Sequence, residues 1–150
     1  MGLFGSIDEV LEFAIDREIE ANQLYTDLAQ RTENTAMHKV FEDFAKEELG
    51  HKAKLEAMKV NRTTVPAGKV TDLKIADYVV DVEPKPDMNY QDALILAMKK
   101  EKASFHLYTD LADVVENQTQ KEAFLSLAQE EAKHKLRFEI EYDATVLQED

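Results

Sequence analysis

From Ile7 to about Arg31 the apolar residues return every three or four positions, the period of a helix with one buried face. Leu11, Ala14, Ile15, Ala21, Tyr25 and Ala29 share that face, and Ser6 with Glu9 three residues on forms a capping box that starts it. After a short polar turn, Thr32 to Thr35, a second helix is predicted from about Thr35 to Val60. Phe41, Phe44, Ala45 and Leu55 line its inner face, and Asn61 is its expected C′ residue. Asn89 is the expected cap of a third helix running to about Val115, which aligns Leu94, Ala97, Met98, Ser104, Phe105, Tyr108 and Ala112. Thr119 to Glu122 reads as a further capping box, opening a fourth helix to about Leu147 with Phe124, Leu127, Ala128, Phe138 and Tyr142 inside. Short turns make each consecutive pair an antiparallel hairpin. The expected fold is therefore all-α: a four-helix bundle of two antiparallel hairpins joined by a long crossover, in a single domain spanning residues 1–150. The hairpins occupy about 6–60 and 89–147 and the crossover 61–88.

All three prolines fall in the crossover. Its ~28 residues extend to as much as ~90 Å, enough to traverse a helix of ~36 Å or to let hairpins be exchanged between subunits. Residues 74–82 are apolar enough for a short strand or a cover over one end of the bundle.

The two hairpins repeat one another 83 residues apart. Glu18 returns as Glu101, Tyr25 as Tyr108, Phe41 as Phe124, Glu48 as Glu131 and His51 as His134. The segment LYTDLA at 24–29 returns at 107–112, and EELGH at 47–51 returns as EEAKH at 130–134. Glu18 and Glu48 lie 15 residues either side of position 33, and Glu101 and Glu131 lie 15 either side of position 116. Each pair of glutamates is thus level across its hairpin, near mid-helix.

These glutamates interrupt apolar stripes, where an ionised carboxylate is costly unless paired or bound to metal. No Lys or Arg shares the stripe at that level. Two divalent cations match four carboxylates in charge and also use the imidazoles. In Glu-x-x-His the two side chains are helix neighbours, so Glu48 with His51 and Glu131 with His134 can each reach one ion, while Glu18 and Glu101 complete the ends. A glutamate from each of two helices with Glu-x-x-His from the other two is a known di-iron or di-manganese arrangement. Tyr25 and Tyr108 suit either plain core aromatics or hydrogen-bond partners of those ligands. His38 and His106 lack this context and read as surface or internally satisfied side chains. Glu47 and Glu130 sit ~100° off the ligand line and read as solvated.

Charge and composition narrow the partners. A net charge of −13, with acids spread along the chain, argues against nucleic acid and anionic membrane as partners. The absence of cysteine removes disulfides, thiolate zinc, iron–sulfur clusters and a rubredoxin-type centre from this polypeptide. Without a basic and apolar leader or a run of membrane-spanning length, the expectation is a cytoplasmic protein.

At these residues the chain resembles the ferritin-like di-iron carboxylate superfamily, most closely the rubrerythrin group without its rubredoxin domain. The resemblance covers both hairpins. It implies iron ligation by Glu18, Glu48, His51, Glu101, Glu131 and His134, with Glu48 and Glu131 bridging. It also implies a di-iron oxidoreductase that reduces hydrogen peroxide, or less favourably dioxygen, with a rubredoxin-type protein as external electron donor. Manganese or a mixed iron–manganese pair suits the same ligands, and zinc is a possible substitute. A ferroxidase feeding iron storage is the alternative function, and a homodimer or higher homo-oligomer the expected assembly. Two departures stand out. Rubrerythrins carry a further ligand carboxylate about one turn along the third helix, where this chain has Lys102, Ala103, Ser104 and Phe105. Bacterioferritin has a haem-binding Met directly after its first bridging Glu, where this chain has Leu49.

Overall fold

The computed structural model describes residues 2–60, 73–80, 82, 85 and 87–149. Four helices dominate: α1 (Ile7–Arg31), α2 (Thr35–Val60), α3 (Tyr90–Val114) and α4 (Gln118–Glu149). α1 and α2 pack along one another as one hairpin, α3 and α4 as the other, so the fold is the expected bundle of two antiparallel pairs. The Asn61 cap and residues 62–72 of the crossover lie outside the described residues.

Local chemistry sets the helix ends. Ser6 Oγ accepts from the Glu9 amide at 3.2 Å, while the Glu9 carboxylate accepts from the Gly5 amide at 2.6 Å, one residue before the cap. Asn89 Oδ1 accepts from the Asp92 amide at 2.7 Å. The second capping box is not used. Asn117, not Thr119, caps α4, its Oδ1 accepting from the Gln120 amide at 3.0 Å, which leaves Thr119 inside the first turn. Asn34 caps α2 in the same way, accepting from the Met37 amide at 3.1 Å. These two asparagines are themselves one repeat apart.

The two hairpins meet unevenly. α1 packs directly on α3, with Ala14, Ala21, Ala93 and Ala97 all buried and small enough for the backbones to approach. No comparable approach occurs between α2 and α4 among the described residues, and long side chains span that wider seam. The apolar core is correspondingly divided. One cluster gathers Leu11, Leu55, Leu111 and Phe124, and the other gathers Leu28, Phe41, Leu94 and Phe138. On every helix the repeated glutamate lies in sequence between the residues of the two clusters. Phe105, expected on the inner face, is instead 41% exposed.

The described residues of the apolar stretch 74–82 form no strand. Residues Ile75–Tyr78 make one 3-10 turn, and Lys74 pairs with Leu3 in an isolated antiparallel bridge. The Ile75 amide reaches Gly2 O at 3.0 Å, and Tyr78 Oη donates to Asp110 Oδ2 on α3 at 2.6 Å. Among the described residues the N-terminal segment is its backbone partner, and this tie lays it along the flank of α1 and α3.

Candidate metal centre

Six charged or strongly polar side chains are buried among the described residues: Glu18, Glu48, His51, Glu101, Glu131 and His134. They are the six expected from the repeat, and each is at most 2% exposed. Their donor atoms form two groups. Glu18, Glu48, His51 and Glu131 each place one such atom within 4.8 Å of the others, as do Glu48, Glu101, Glu131 and His134. Glu48 and Glu131 belong to both groups, whereas Glu18 and His51 belong to one and Glu101 and His134 to the other.

The groups are electrostatically unsettled as they stand. Burial drives the Glu48 and Glu131 carboxyls well above the usual range, and the charges of Glu101 and Glu18 push them further. Burial alone would lower the His51 imidazole, but Glu131 and Glu18 override it and carry it up to about 11. His134 is likewise raised against its burial, chiefly by Glu101. Without metal the cluster therefore holds protons on groups that are normally bare at neutral pH.

Hydrogen bonding within the cluster does not resolve this. His51 Nδ1 lies 2.9 Å from Glu131 Oε1 and His134 Nδ1 lies 3.3 Å from Glu48 Oε1, yet neither contact has hydrogen-bond direction. Both oxygens of Glu48 and Glu131, and one each of Glu18 and Glu101, are also without partners. Such orphans are rare in native cores, and each costs roughly 1–3 kcal/mol, more when charged. Donors on one ion at ~2.1 Å stand at most ~4.2 Å apart. A spread of up to 4.8 Å thus needs only tenths of an ångström of closure at each bond. The donor set, carboxylate oxygen with imidazole nitrogen, suits iron, manganese or zinc. The residues fit two metal ions.

The surrounding contacts cross between hairpins. Tyr25 Oη donates to Glu101 and Tyr108 Oη donates to Glu18, so each tyrosine holds the glutamate of the other hairpin. Burial, then the charge of that glutamate, raises both phenols well above their ordinary value and keeps them protonated. Between the two readings for these tyrosines, the geometry selects the hydrogen-bonding one. Phe44 stacks on His134 with ring centroids 4.0 Å apart, while its repeat counterpart is Leu127.

Glu47 and Glu130 are not the free solvated side chains expected from their position on the helix. The outer nitrogen of His51 is bonded to Glu130, and that of His134 to Glu47 at 3.0 Å. Each imidazole thus turns Nδ1 inward and is held by a carboxylate of the opposite hairpin, a device that fixes ring orientation and tautomer at metal sites. The signal was present in the repeat, since these two acids also recur together. His38 and His106 behave as expected. His38 Nδ1 meets Ala29 O at 2.6 Å, and His106 pairs with Asp110 at 3.1 Å, both away from the cluster. No Lys or Arg among the described residues pairs with any of the four buried glutamates.

With this geometry in place, the likenesses to known proteins are informative. A crystal structure from Thermotoga maritima, described as that of a ferritin-like diiron-carboxylate protein, superposes with a TM-score of 0.77 over 93% of this chain and 96% of its own. At 21% identity it establishes the shared ferritin-like fold. No curated protein matches the chain significantly. The rubrerythrin family pattern matches residues 9–142, which include all six buried polar side chains. The chain is a member of the rubrerythrin family.

Proposed function

We propose that the six side chains hold two iron ions and that the chain reduces hydrogen peroxide with them, dioxygen being the less favoured oxidant. Glu18 and His51 would ligate one ion and Glu101 and His134 the other, with Glu48 and Glu131 shared. Reduction of one peroxide to two waters takes two electrons and two protons, and a ferrous pair supplies the electrons, one from each ion. An external donor of the rubredoxin type would return the two electrons.

The chain's own residues handle position, water and protons. Phe41 and Phe138 on one side and Leu11 and Phe124 on the other close the cluster above and below, keeping bulk water away. Tyr25 and Tyr108 keep a proton on the oxygen beside Glu101 and Glu18, the two unshared carboxylates. Glu47 and Glu130 hold the imidazoles in one orientation. The observation that carries this reading is the set of buried carboxylate and imidazole atoms left without partners at mid-bundle. Iron-loaded ferrous protein is expected to consume about one peroxide per two irons. Glu48→Ala and Glu131→Ala should abolish that consumption; an unchanged rate in either sinks the assignment.

One observation favours a second reading, ferrous iron oxidation in the service of storage. Glu47 and Glu130 have side chains 50% and 37% exposed and stand directly outside the two imidazoles, an acidic approach suited to incoming cations. Particle size separates the readings, because storage requires a cage or an enclosing shell.

A further inference from the structure

The flank where the crossover lies over α1 and α3 carries a cavity of about 140 Å³, several times the ~30 Å³ that a water molecule occupies in the liquid. It begins at partly exposed side chains and ends at a buried one. Glu20 and Arg17 at its mouth are 42% and 32% exposed, Lys100 is 12% exposed, and Glu101 at its inner wall is 1% exposed. Tyr78 and Val80 of the crossover roof it. The cavity therefore leads from the surface to the residue Glu101, whose buried carboxylate lies behind that wall, on the side away from Glu47 and Glu130.

Its walls have a definite chemistry. Arg17 and Lys100 occupy equivalent positions in the two repeats, each directly before a repeated glutamate. Both pair with the same carboxylate, Arg17 Nη2 to Glu20 Oε2 at 2.9 Å and Lys100 Nζ to Glu20 Oε1 at 3.1 Å. Two cations on one acid leave the mouth locally positive in a chain of net charge −13. The repeat counterparts of Glu20 and Ala21 are Ala103 and Ser104, small residues that leave the space open. The Ser104 hydroxyl lines the cavity and has no partner among the described residues. Residues that carry donors (Arg17, Lys100, Ser104) and an acceptor (Glu20) thus line a space of a few heavy atoms.

We propose that this cavity is the access route and binding site for a small polar guest of two or three heavy atoms that both donates and accepts hydrogen bonds. Arg17, Glu20, Lys100 and Ser104 are its selecting residues. That the guest is hydrogen peroxide rests on the proposed function above; the site itself does not. Its position separates the traffic, with cations approaching past the acids between α2 and α4 and the small guest passing between α1 and α3.

Azide, a three-atom acceptor for the donors of Arg17, Lys100 and Ser104, tests that side of the site with and without metal. In metal-free protein, azide should shift the Ala21 and Ala103 methyl resonances saturably. Ser104→Phe, or Ala103→Leu should that variant fold poorly, should remove the shift while keeping the wild-type melting temperature. Glu20→Gln, which leaves both cations unneutralised, should tighten azide by about tenfold through local charge. In iron-loaded, oxidised protein the plugged variant should bind the same amount of iron, yet react with azide at least about tenfold more slowly by optical spectroscopy. No methyl shift in the wild type, or an unchanged azide rate in both plugged variants, overturns the proposal. Wild-type protein that binds azide here but leaves peroxide untouched keeps the site and discards peroxide reduction.

Discussion

The two seams where the hairpins meet solve opposite problems. Between α1 and α3, alanines let the backbones close up, and the polar side chains that cross there are joined in hydrogen bonds: Tyr25 to Glu101 and Tyr108 to Glu18 inside, and the Arg17–Glu20–Lys100 triad at the surface. Between α2 and α4 the backbones stay apart, and the gap is filled by Glu48, Glu131, His51 and His134, with Glu47 and Glu130 outside them. The close seam combines dispersion and burial at the alanines with hydrogen bonds across it. The wide one makes sense only with something further inside it, because its polar atoms do not satisfy one another. The 83-residue repeat exchanges α1 with α3 and α2 with α4, so it maps each seam onto itself and leaves the two free to differ. The separation of the helices sets close alanine packing at one seam and most of the unpartnered polar atoms of the cluster at the other.

The comparison breaks most severely at the carboxylates shared by both donor groups. Glu48→Ala or Glu131→Ala should reduce metal content after dialysis from about two ions per chain to fewer than one, since each removes a donor from both sites. Glu18→Ala touches one group and should leave about one ion per chain. Elemental analysis reads the difference, and equal losses in Glu18→Ala and Glu48→Ala would deny that the inner pair is shared.

Removing metal exposes the strain of the wide seam through pH. His51 has its pKa raised to about 11 in the folded protein. Its contribution to stability is therefore present below its unfolded value near 6.5 and is lost as pH rises through about 11. Glu48 and Glu131 are raised as well, so the folded chain holds protons that the unfolded chain releases above about 4.5, and their effect has the same sign. Metal-free protein should melt at a higher temperature at pH 6 than at pH 9. With metal bound the order should reverse, because the ligands must then be deprotonated. Differential scanning calorimetry at both pH values checks this, and a metal-free protein that gains stability toward pH 9 would contradict it.

Smaller effects are expected outside the ligands. Glu47→Gln and Glu130→Gln each keep the side-chain shape and remove the charge behind an imidazole, so each should weaken metal binding by about 10–100-fold in competition with a chelator. Glu42→Gln, one level away on the same helix, should leave it unchanged. Smallest is the packing test. Ala97→Leu in the close seam should destabilise the protein by roughly 1–3 kcal/mol through overpacking. Leu49→Ala on the outside of α2, where the residue is 47% exposed, should stay within about 0.5 kcal/mol. Chemical denaturation compares the two.

Much of this arrangement was legible in the sequence because helical periodicity is local. The apolar stripes at 3.6-residue spacing placed all four helices, and the mid-hairpin register placed Glu18, Glu48, Glu101 and Glu131 at one level. What escaped depended on distances between helices. Glu47 and Glu130 lie off the inward line of their own helices, so a single-helix reading points them at solvent. Only the wide α2/α4 seam lets them reach an imidazole on the opposite hairpin. The crossed bonds from Tyr25 to Glu101 and from Tyr108 to Glu18 were hidden for the same reason. At Asn117 the error was local, because Thr119 and Glu122 satisfy the capping pattern equally well as letters. The structure prefers the asparagine that repeats Asn34. Residues 74–82 have the composition of a strand, but no partner strand stands beside them among the described residues, and composition alone does not supply one.

The arrangement of one metal pair held by two half-sites is open to anaerobic ferrous titration of metal-free protein with simultaneous proton counting. It predicts saturation at about two ions per chain. It also predicts release of up to four protons, one each from Glu48, Glu131, His51 and His134, whose pKa values all stand raised without metal. Saturation at one ion or none, or uptake of two ions with no proton release, would contradict it.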